Sequence, residues 1–340
     1  MTATKPRVVI YGVGQYGSHV ARFAAKKGWP IVAAFNRAGS KVGQDLGRAL
    51  GLERDLGITI QDCETGDYGK LDADIGIVAQ TNTLRLNLPA YRRLLGAGLN
   101  VGCHGSESYL PHGCDPVSAA EIDLLAKKNG VTFTGSGIWD MSRIWSGILL
   151  AGPCTELKSL YHSSITDSQG QAINLKQAQQ VGMGGTVDEF YALKLDKTPL
   201  TISYKTIPEQ VLIALGYTIT ETSTKVEPIV FDIPTPTWYV PEGSFPAGAV
   251  VGVRILPEIH TKEGVTAKAR IELRLFQAGE QEHMYWELDG MPHTRIRIER
   301  DDSAHATAAC LFNRIPDIIA APPGIQPVYR LGPLKSSALA

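Results

Sequence analysis

Short β-branched runs alternate with helical segments along the first part of the chain. Strand-like runs occupy residues 7–11, 31–35, 58–60, 73–80, 99–102 and 131–134, and helical spacing of apolar residues occupies 18–25, 84–95 and 117–128. A strand followed by a helix, repeated about six times, predicts an α/β domain built on a doubly wound parallel sheet. A further helix begins at Ser142 and is broken at Gly152 and Pro153.

The pattern changes after residue 155, where strand-like runs dominate. They occupy residues 156–165, 200–204, 249–256, 266–276 and 284–288, with helical segments near 171–180, 187–195 and 208–215. This mixture predicts a second, α+β domain with a mixed or antiparallel sheet. A capped helix over 302–315 stops before Pro316, and a loop-like tail rich in Pro and Gly follows. The expected domains are therefore 1–150, 151–300 and a 301–340 segment that packs back on the first domain.

The turn Gly12-x-Gly14-x-x-Gly17 joins the first strand to the first helix. The first glycine permits a tight turn, the second permits close approach of a pyrophosphate, and the third permits close packing of helix on strand. The helix N-terminus offers unpaired N–H groups to phosphates. The context predicts a Rossmann domain that binds a dinucleotide, with Gln15 and Tyr16 of the turn also at the cofactor.

The end of the second strand bears on cofactor choice. NAD-binding sites usually place an acidic residue there, about 20 residues after the glycines, to bind the ribose 2′-hydroxyl. This chain instead has Asn36 and Arg37, followed by Ser40 and Lys41. NADP(H) is therefore the preferred cofactor, NAD(H) or dual use remains possible, and Arg37 as a solvated loop charge is the alternative.

Composition excludes several classes of function. The 340 residues are 44% hydrophobic and 20% charged, with a net charge of −1 and no run of like charge, so neither nucleic acid nor membrane is an expected partner. Five cysteines lack C-x-x-C spacing, which favours reduced thiols in the cytoplasm and no metal site. The first strand begins at residue 7, so no leader peptide is expected.

Polar residues follow two of the predicted strands, at the edge where ligands of parallel sheets bind. Thr81 and Asn82 are candidates for the nicotinamide ribose, with a helix cap as an equal alternative, and His104 is placed with the cofactor. Glu107 is the principal catalytic candidate, since a carboxylate stands out in its Gly/Ser loop. A helix cap or a solvated acid is the alternative for Glu107.

A nucleotide domain followed by an α+β domain implies hydride transfer in a cleft between them. His162, on a predicted strand of the second domain, either faces that cleft or is a core histidine. The other candidates for the substrate pocket are Trp139, Trp145, Tyr161 and Thr307, although large aromatic residues are more often ordinary core.

The glycine turn, residues 40–47 and His162 together resemble the dihydrodipicolinate reductase-like superfamily. Within it, Glu107 after residues 103–106 and the ending 306–316 resemble the 2,4-diaminopentanoate dehydrogenases and related NAD(P)H-dependent amine dehydrogenases. The resemblance covers most of the chain and is weak from 170 to 248. Dihydrodipicolinate reductases themselves have a lysine where this chain has Ile165, and a Pro-Ser-Gly-Thr loop where it has residues 167–170, so that activity is not expected.

The resemblance implies reductive amination of a ketone or aldehyde with ammonia, reversible as deamination of a primary amine, with Glu107 as the catalytic glutamate. It also implies a homodimer formed through the sheet of the second domain. No arginine occurs between residues 151 and 250 to bind a substrate carboxylate, which favours a small neutral carbonyl compound unless Arg143 faces the substrate. The alternatives are a 2,4-diaminopentanoate dehydrogenase-type enzyme, another NADP-linked imine or carbonyl reductase, and a non-catalytic NADP-sensing module.

Overall fold

A computed structural model describes residues 5–170 and 174–336 of the chain. They form two compact units: the first contains the described residues up to Met141 and from Ala304 onward, and the second runs from Ser142 to Ser303.

The secondary structure alternates first and then becomes rich in strands. The strands are β1 Val8–Tyr11, β2 Ile31–Asn36, β3 Ile60–Asp62, β4 Ile75–Val78, β5 Asn100–Cys103, β6 Thr132–Gly135, β7 Glu156–Asp167, β8 Ile219–Val230, β9 Thr235–Pro236, β10 Ser244–Phe245, β11 Val250–Thr261, β12 Thr266–Arg274, β13 His283–Met291, β14 Thr294–Glu299 and β15 Gly324–Ile325. The α-helices are α1 Gln15–Lys27, α2 Leu46–Ala49, α3 Leu84–Gly96, α4 Pro111–Cys114, α5 Pro116–Lys128, α6 Ser146–Leu150, α7 Leu175–Gln180, α8 Val187–Ala192, α9 Pro199–Ala214 and α10 Ser303–Ala320. Short 3₁₀ turns lie at Ser106–Tyr109, Leu195–Lys197 and Val328–Arg330, and a π-helical segment at Asp140–Trp145.

A seven-stranded sheet with the order β15-β6-β5-β4-β1-β2-β3 forms the centre of the first unit, and all its pairs are parallel. Every residue of β1 and β4 is buried, because helices cover both faces of the sheet. Leu311, Ile315 and Ile318 of α10 belong to the same hydrophobic cluster as Val8 and Ile10 of β1. The predicted doubly wound fold, with its C-terminal helix returning to the first domain, is confirmed.

The second unit is built on a six-stranded sheet with the order β14-β13-β7-β12-β11-β8. Strands β7 and β12 are parallel and the other pairs antiparallel, which confirms the predicted mixed sheet. Helix α9 packs on β8, β11 and β12. Residues of β7 alternate between a buried and a more exposed face, as expected when one side of a sheet is covered.

Residues 200–204, predicted as a strand, lie instead in α9, so that prediction is wrong. Five residues in which apolar and polar side chains alternate are too few to distinguish a strand from a helical segment. Pro199 is the first residue of the helix, a position that proline favours, and the buried residues that follow include Thr201, Ser203 and Thr206. The predicted helix over 171–180 begins at Leu175 in the described residues, and residues 171–173 lie outside them.

The C-terminal prediction also needs correction, because α10 continues through Pro316 to Ala320. A proline inside a helix costs about 3 kcal/mol, and complete burial of Leu311, Ile315 and Ile318 offsets this cost. The tail, expected to be loop, contributes β15 to the edge of the parallel sheet beside β6. Strands β8 and β14 were not predicted, and β3 begins at the last residue of the predicted 58–60 run.

No helix within the described ranges combines the length and the apolar character needed to cross a bilayer.

Candidate active site

Two glycines of the turn between β1 and α1 are required by the packing of the protein itself. Gly12 has a φ of +102°, and its N–H donates to the Phe35 carbonyl at 2.8 Å. A Cβ on Gly12 would lie 2.7 Å from the Ala79 carbonyl oxygen, and one on Gly17 would collide with the Gly12 carbonyl oxygen. The turn therefore holds β1, β4 and α1 in backbone contact.

Gly14 differs from these two because no protein group requires it to be glycine. It is the exposed N-cap of α1, with a φ of −88°, and a Cβ built there meets nothing within 4 Å. Gln15, also exposed, begins the helix, whose N-terminal N–H groups lack partners in the preceding turn of helix. The residues present therefore fit a dinucleotide pyrophosphate, for which a bare backbone at Gly14 leaves room.

At the end of β2 the structure presents an amide and cations. Asn36 accepts a hydrogen bond from the Val13 N–H at 3.1 Å, and its Nδ2 donates to the Arg37 carbonyl at 3.3 Å. Arg37 and Ser40 are exposed, and Arg37 makes no ion pair within the described residues. The amide therefore supports the glycine turn, while the side chains of Arg37 and Ser40 remain accessible.

The loops that follow β4, β5 and β6 touch one another through glycines. A Cβ on Gly105 would lie 2.7 Å from the Thr81 carbonyl oxygen, and one on Gly135 would collide with the Ser108 backbone. The loops that carry Thr81, Asn82, His104 and Glu107 are thus brought together at the carboxyl edge of the sheet, where ligands of such sheets bind.

Asn87 is a buried residue that sequence reasoning missed. Its Oδ1 accepts hydrogen bonds from the Thr81 N–H at 3.2 Å and the Thr81 hydroxyl at 2.9 Å, and its Nδ2 donates to the Thr81 carbonyl at 2.9 Å. It lies on the buried face of α3 with Leu84 and Tyr91. An asparagine within that apolar stripe was the available signal, because a buried amide needs partners.

Glu107 lies in a 3₁₀ turn with its side chain turned inward and only 5% of the residue exposed. Its Oε2 accepts the Leu84 N–H at 2.7 Å, and its own N–H donates to the Asn82 carbonyl at 3.1 Å. Thr83, the N-cap of α3, makes no side-chain capping bond, so Glu107 caps this helix from another loop. Its Oε1 accepts no hydrogen bond within the described residues.

The surroundings of Glu107 act on its pKa in opposite directions. Burial raises the pKa of the carboxyl group, and the hydrogen bond from Leu84 lowers it by a smaller amount, so the net shift is upward. A carboxylate with a raised pKa is a stronger base than an exposed one. Glu107 therefore does cap α3, as the alternative interpretation predicted, and it does so through Oε2 only. Its Oε1 is left without a hydrogen-bond donor among the described residues.

His104 connects the loop after β5 to the glycine turn. Its ring lies 4.5 Å from that of Tyr16, measured between centroids, and its Nδ1 is 3.5 Å from the Val78 carbonyl oxygen. Burial lowers the pKa of His104 to about 4, so the ring is neutral at physiological pH. It adds a neutral polar group, rather than a cation, near the nucleotide turn.

Two of the predicted pocket residues lie near Glu107 in the first unit. The rings of Trp139 and Tyr109 are 5.2 Å apart, and Tyr109 ends the 3₁₀ turn that carries Glu107. A Cβ on Gly137 would lie 2.6 Å from the Tyr109 hydroxyl and 2.9 Å from the Thr307 methyl group. Trp139 and Thr307 are therefore close to the same turn.

The other pocket candidates belong to the second unit. Trp145 is buried, and Tyr161 and His162 lie on opposite faces of β7, with Tyr161 37% exposed and His162 fully buried. The His162 Nδ1 is 3.0 Å from the Tyr285 carbonyl oxygen. Burial, followed by the charge of Arg143, lowers the pKa of His162 to about 3. The histidine is thus a neutral interior group.

Arg143 is also buried in the second unit. Its Nε lies 3.2 Å from the Met284 sulfur, its Nη2 is 3.4 Å from the Thr166 hydroxyl, and its guanidinium lies 5.1 Å from the centre of the Tyr204 ring. Among the described residues, no group of three or more His, Cys, Asp or Glu side chains could hold a metal ion.

The comparisons with known proteins agree with this geometry, although no protein-family model matches the chain. The 2,4-diaminopentanoate dehydrogenase of Acetoanaerobium sticklandii is 26% identical over 341 residues, which cover 96% of this chain and 93% of that protein. The structure of an amine dehydrogenase from Mycobacterium smegmatis matches with a TM-score of 0.86 and 28% identity over 99% of this chain and 98% of that one. A probable dehydrogenase from Thermotoga maritima shares the fold, with a TM-score of 0.62 and 14% identity over 96% and 92% of the two chains.

The parallel sheet, the glycine turn and the second mixed-sheet unit define a Rossmann-type oxidoreductase. Within this class the chain is similar to 2,4-diaminopentanoate dehydrogenase and to an amine dehydrogenase, which bears out the resemblance predicted from sequence.

The substitution Gly14→Ser tests whether Gly14 is needed for ligand binding rather than for packing, which requires Gly12 and Gly17. This change adds a Cβ where the protein has space, together with a hydroxyl that suits an N-cap, so the free energy of unfolding should change by less than about 0.5 kcal/mol. Dinucleotide affinity should fall at least about tenfold, because the Cβ occupies the pyrophosphate position. Urea unfolding and isothermal titration with NADP⁺ measure the two quantities.

Gly96→Ser is the matched control, since a Cβ on Gly96 also meets nothing within 4 Å but lies at the far end of α3. Wild-type affinity in Gly14→Ser would show that the turn does not receive a pyrophosphate.

Proposed function

We propose that this chain is an NAD(P)H-dependent amine dehydrogenase that converts a small ketone or aldehyde and ammonia into a primary amine, and catalyses the reverse deamination. The observation that carries the proposal is the buried carboxylate of Glu107, held by one oxygen at the carboxyl edge of the nucleotide-binding sheet. The relationship to an amine dehydrogenase and to 2,4-diaminopentanoate dehydrogenase supports it.

A carboxylate in this position meets the chemical needs of reductive amination. Ammonia is mostly ammonium at neutral pH, so a base must remove a proton before nitrogen attacks the carbonyl carbon. After addition, water leaves and an iminium cation forms, which a fixed negative charge stabilises in a water-poor site. Glu107 can serve both steps through Oε1, because the Leu84 N–H fixes Oε2 and with it the orientation of the group.

The cofactor proposed is NADP(H), with NAD(H) also accepted, and bound nicotinamide would supply the hydride. The exposed Arg37 and Ser40, together with the absence of a carboxylate at the end of β2, support the preference for a 2′-phosphate. Thr81, Asn82 and the neutral His104 would bind the nicotinamide half, since their loops meet at this edge.

The proposed substrate is a small neutral carbonyl compound. Trp139 and Thr307, near the turn of Glu107, supply apolar contact surface. The stretch from 151 to 250 contains no arginine to pair with a substrate carboxylate. Arg143 is buried against Thr166, Met284 and Tyr204 of its own unit, so its side chain has contacts within the protein.

The activity is tested by NADPH oxidation with a panel of ketones and aldehydes, with and without ammonium. We expect turnover only when ammonium is present, and no gain when a matched substrate carries a carboxylate. Equal turnover without ammonium would indicate a carbonyl or imine reductase instead. Cofactor binding without turnover of any carbonyl compound would favour a sensing module.

Replacement of Glu107 by Gln separates its two roles. The amide oxygen still accepts the Leu84 N–H, but the base is lost, so amination turnover should fall by at least about 10²-fold with little change in NADPH affinity. Glu107→Ala should in addition lower the free energy of unfolding by about 1 kcal/mol, because the helix loses its cap. Steady-state kinetics and urea unfolding measure these effects, with the exposed Glu53→Gln as control.

The pH dependence provides a second measurement on the same variant. The reactive form of Glu107 is ionised, so the wild-type rate should fall as the pH drops through its raised pKa, whereas Glu107→Gln has no such step. The wild-type rate divided by the Glu107→Gln rate, both measured at the same pH and total ammonium, does not depend on the ionisation of ammonia. This ratio should rise with pH. A constant ratio would mean that Glu107 is only a cap.

A homodimer is proposed through the more exposed face of the six-stranded sheet, opposite the side that α9 covers. Tyr161 lies on this face, and an aromatic residue 37% exposed is suited to an interface. Tyr161→Asp should shift the molar mass from light scattering toward the monomer, whereas Tyr191→Asp, at an exposed aromatic residue of α8, should not. A monomeric wild-type protein would remove the proposal.

A further inference from the structure

Lys41 is bound to the glycine turn by a direct hydrogen bond. Its Nζ donates to the Val13 carbonyl oxygen at 2.5 Å, and the N–H of the same residue donates to Asn36 at 3.1 Å. Val13 stands between Gly12, which packs against Ala79, and Gly14, which leaves room for a pyrophosphate. The last residue of β2 and the loop that follows it therefore hold Val13 through both its N–H and its carbonyl group.

The loop that carries Lys41 is itself fixed to the body of the first unit. The Gly43 N–H donates to the Ile60 carbonyl at 2.9 Å, and the Ile60 N–H donates to the Gln44 carbonyl at 2.9 Å. These two hydrogen bonds attach the loop to the start of β3. The position of the Lys41 ammonium is thus set before any ligand arrives, which reduces the entropy lost on binding.

Asp45 is the acidic residue next to this loop, and its charge is already compensated. Its carboxylate accepts the N–H groups of Gly47 at 2.7 Å, Leu56 at 3.0 Å and Ile58 at 3.1 Å. These hydrogen bonds, led by that from Leu56, keep the pKa of Asp45 below its usual value. The carboxylate is thus committed to backbone groups, and Lys41 makes no ion pair within the described residues.

An ammonium group has three N–H donors, and the Val13 carbonyl takes one of them. The other two have no protein acceptor among the described residues. Arg37 and Ser40 lie close by in the sequence and are exposed. A half-buried cation with unused donors, beside a turn suited to phosphate, is an anion site in which the protein has already placed the charge.

We propose that Lys41 is the residue that makes this protein select a 2′-phosphorylated dinucleotide. The ammonium links the Val13 carbonyl to the 2′-phosphate, so the same hydrogen bond that fixes the turn also orients the selecting charge. Arg37, exposed and without an ion pair within the described residues, adds charge but must first be ordered. The inference rests on the proposed dinucleotide site and is independent of whether the enzyme aminates its substrate.

Equilibrium binding of NADP⁺ and NAD⁺ to the full-length protein, measured by isothermal titration without substrate, tests the role of Lys41. Lys41→Met should weaken NADP⁺ about 10- to 100-fold and NAD⁺ by less than about threefold, because a charge-assisted hydrogen bond to the phosphate is lost. Lys41→Arg should recover part of the NADP⁺ affinity. Lys26→Met, an exposed lysine of the last turn of α1, should leave both affinities unchanged.

The same titration contains the results that would overturn the inference. If Lys41→Met weakens NADP⁺ and NAD⁺ equally, Lys41 only supports the turn and does not select. If NADP⁺ affinity is unchanged while Arg37→Met abolishes the preference, the selecting charge is Arg37 alone. Both results are read from binding, so a failure of the proposed amination reaction, seen in the ammonium assay, is a separate outcome.

Discussion

Backbone contact between loops at the carboxyl edge of the parallel sheet is the constraint on which the rest of the candidate site depends. At Gly12, Gly105 and Gly135 a Cβ would meet the backbone of a loop from a neighbouring strand. Each strand end therefore lies closer to its neighbour than a side chain would allow. Because the loops touch, residues far apart in the sequence, such as Tyr16 and His104, lie side by side.

The same proximity lets Glu107 cap a helix and remain available for its proposed role as a base. A carboxylate has two oxygens, and α3 takes only one of them, through the Leu84 N–H. The positive end of the helix favours the ionised form, while burial favours the neutral form. The balance is a carboxylate that stays in place without being neutralised by a full cationic partner, which would have removed its basicity.

The sequence predicted the parts of the structure that are encoded locally. The βα alternation and the glycine turn follow from periodicity and spacing, and both were correct. Residues 200–204 were misassigned because a five-residue alternation of apolar and polar side chains is too short to distinguish a strand from a helix. The buried Asp140–Arg314 ion pair, 2.6 Å long, joins positions 174 residues apart, and the role of Asn87 depends on the fold of the next loop. The ion pair has no signature in neighbouring residues, and the apolar stripe of α3 signals that Asn87 is buried but not which loop supplies its partners.

The choice of Asn36 at the end of β2 shows how a structural role and a functional one can be separated. Its Oδ1 accepts the Val13 N–H at 3.1 Å. An aspartate oxygen could accept the same hydrogen bond, and would do so more strongly because it is charged. Only the 3.3 Å contact from Nδ2 to the Arg37 carbonyl needs an amide, and that contact is exposed and long. Support of the turn therefore does not account for a neutral residue here. A negative charge beside Lys41 would pair with its ammonium and repel a phosphate, so the amide is compatible with the proposed 2′-phosphate ligand and a carboxylate would not be.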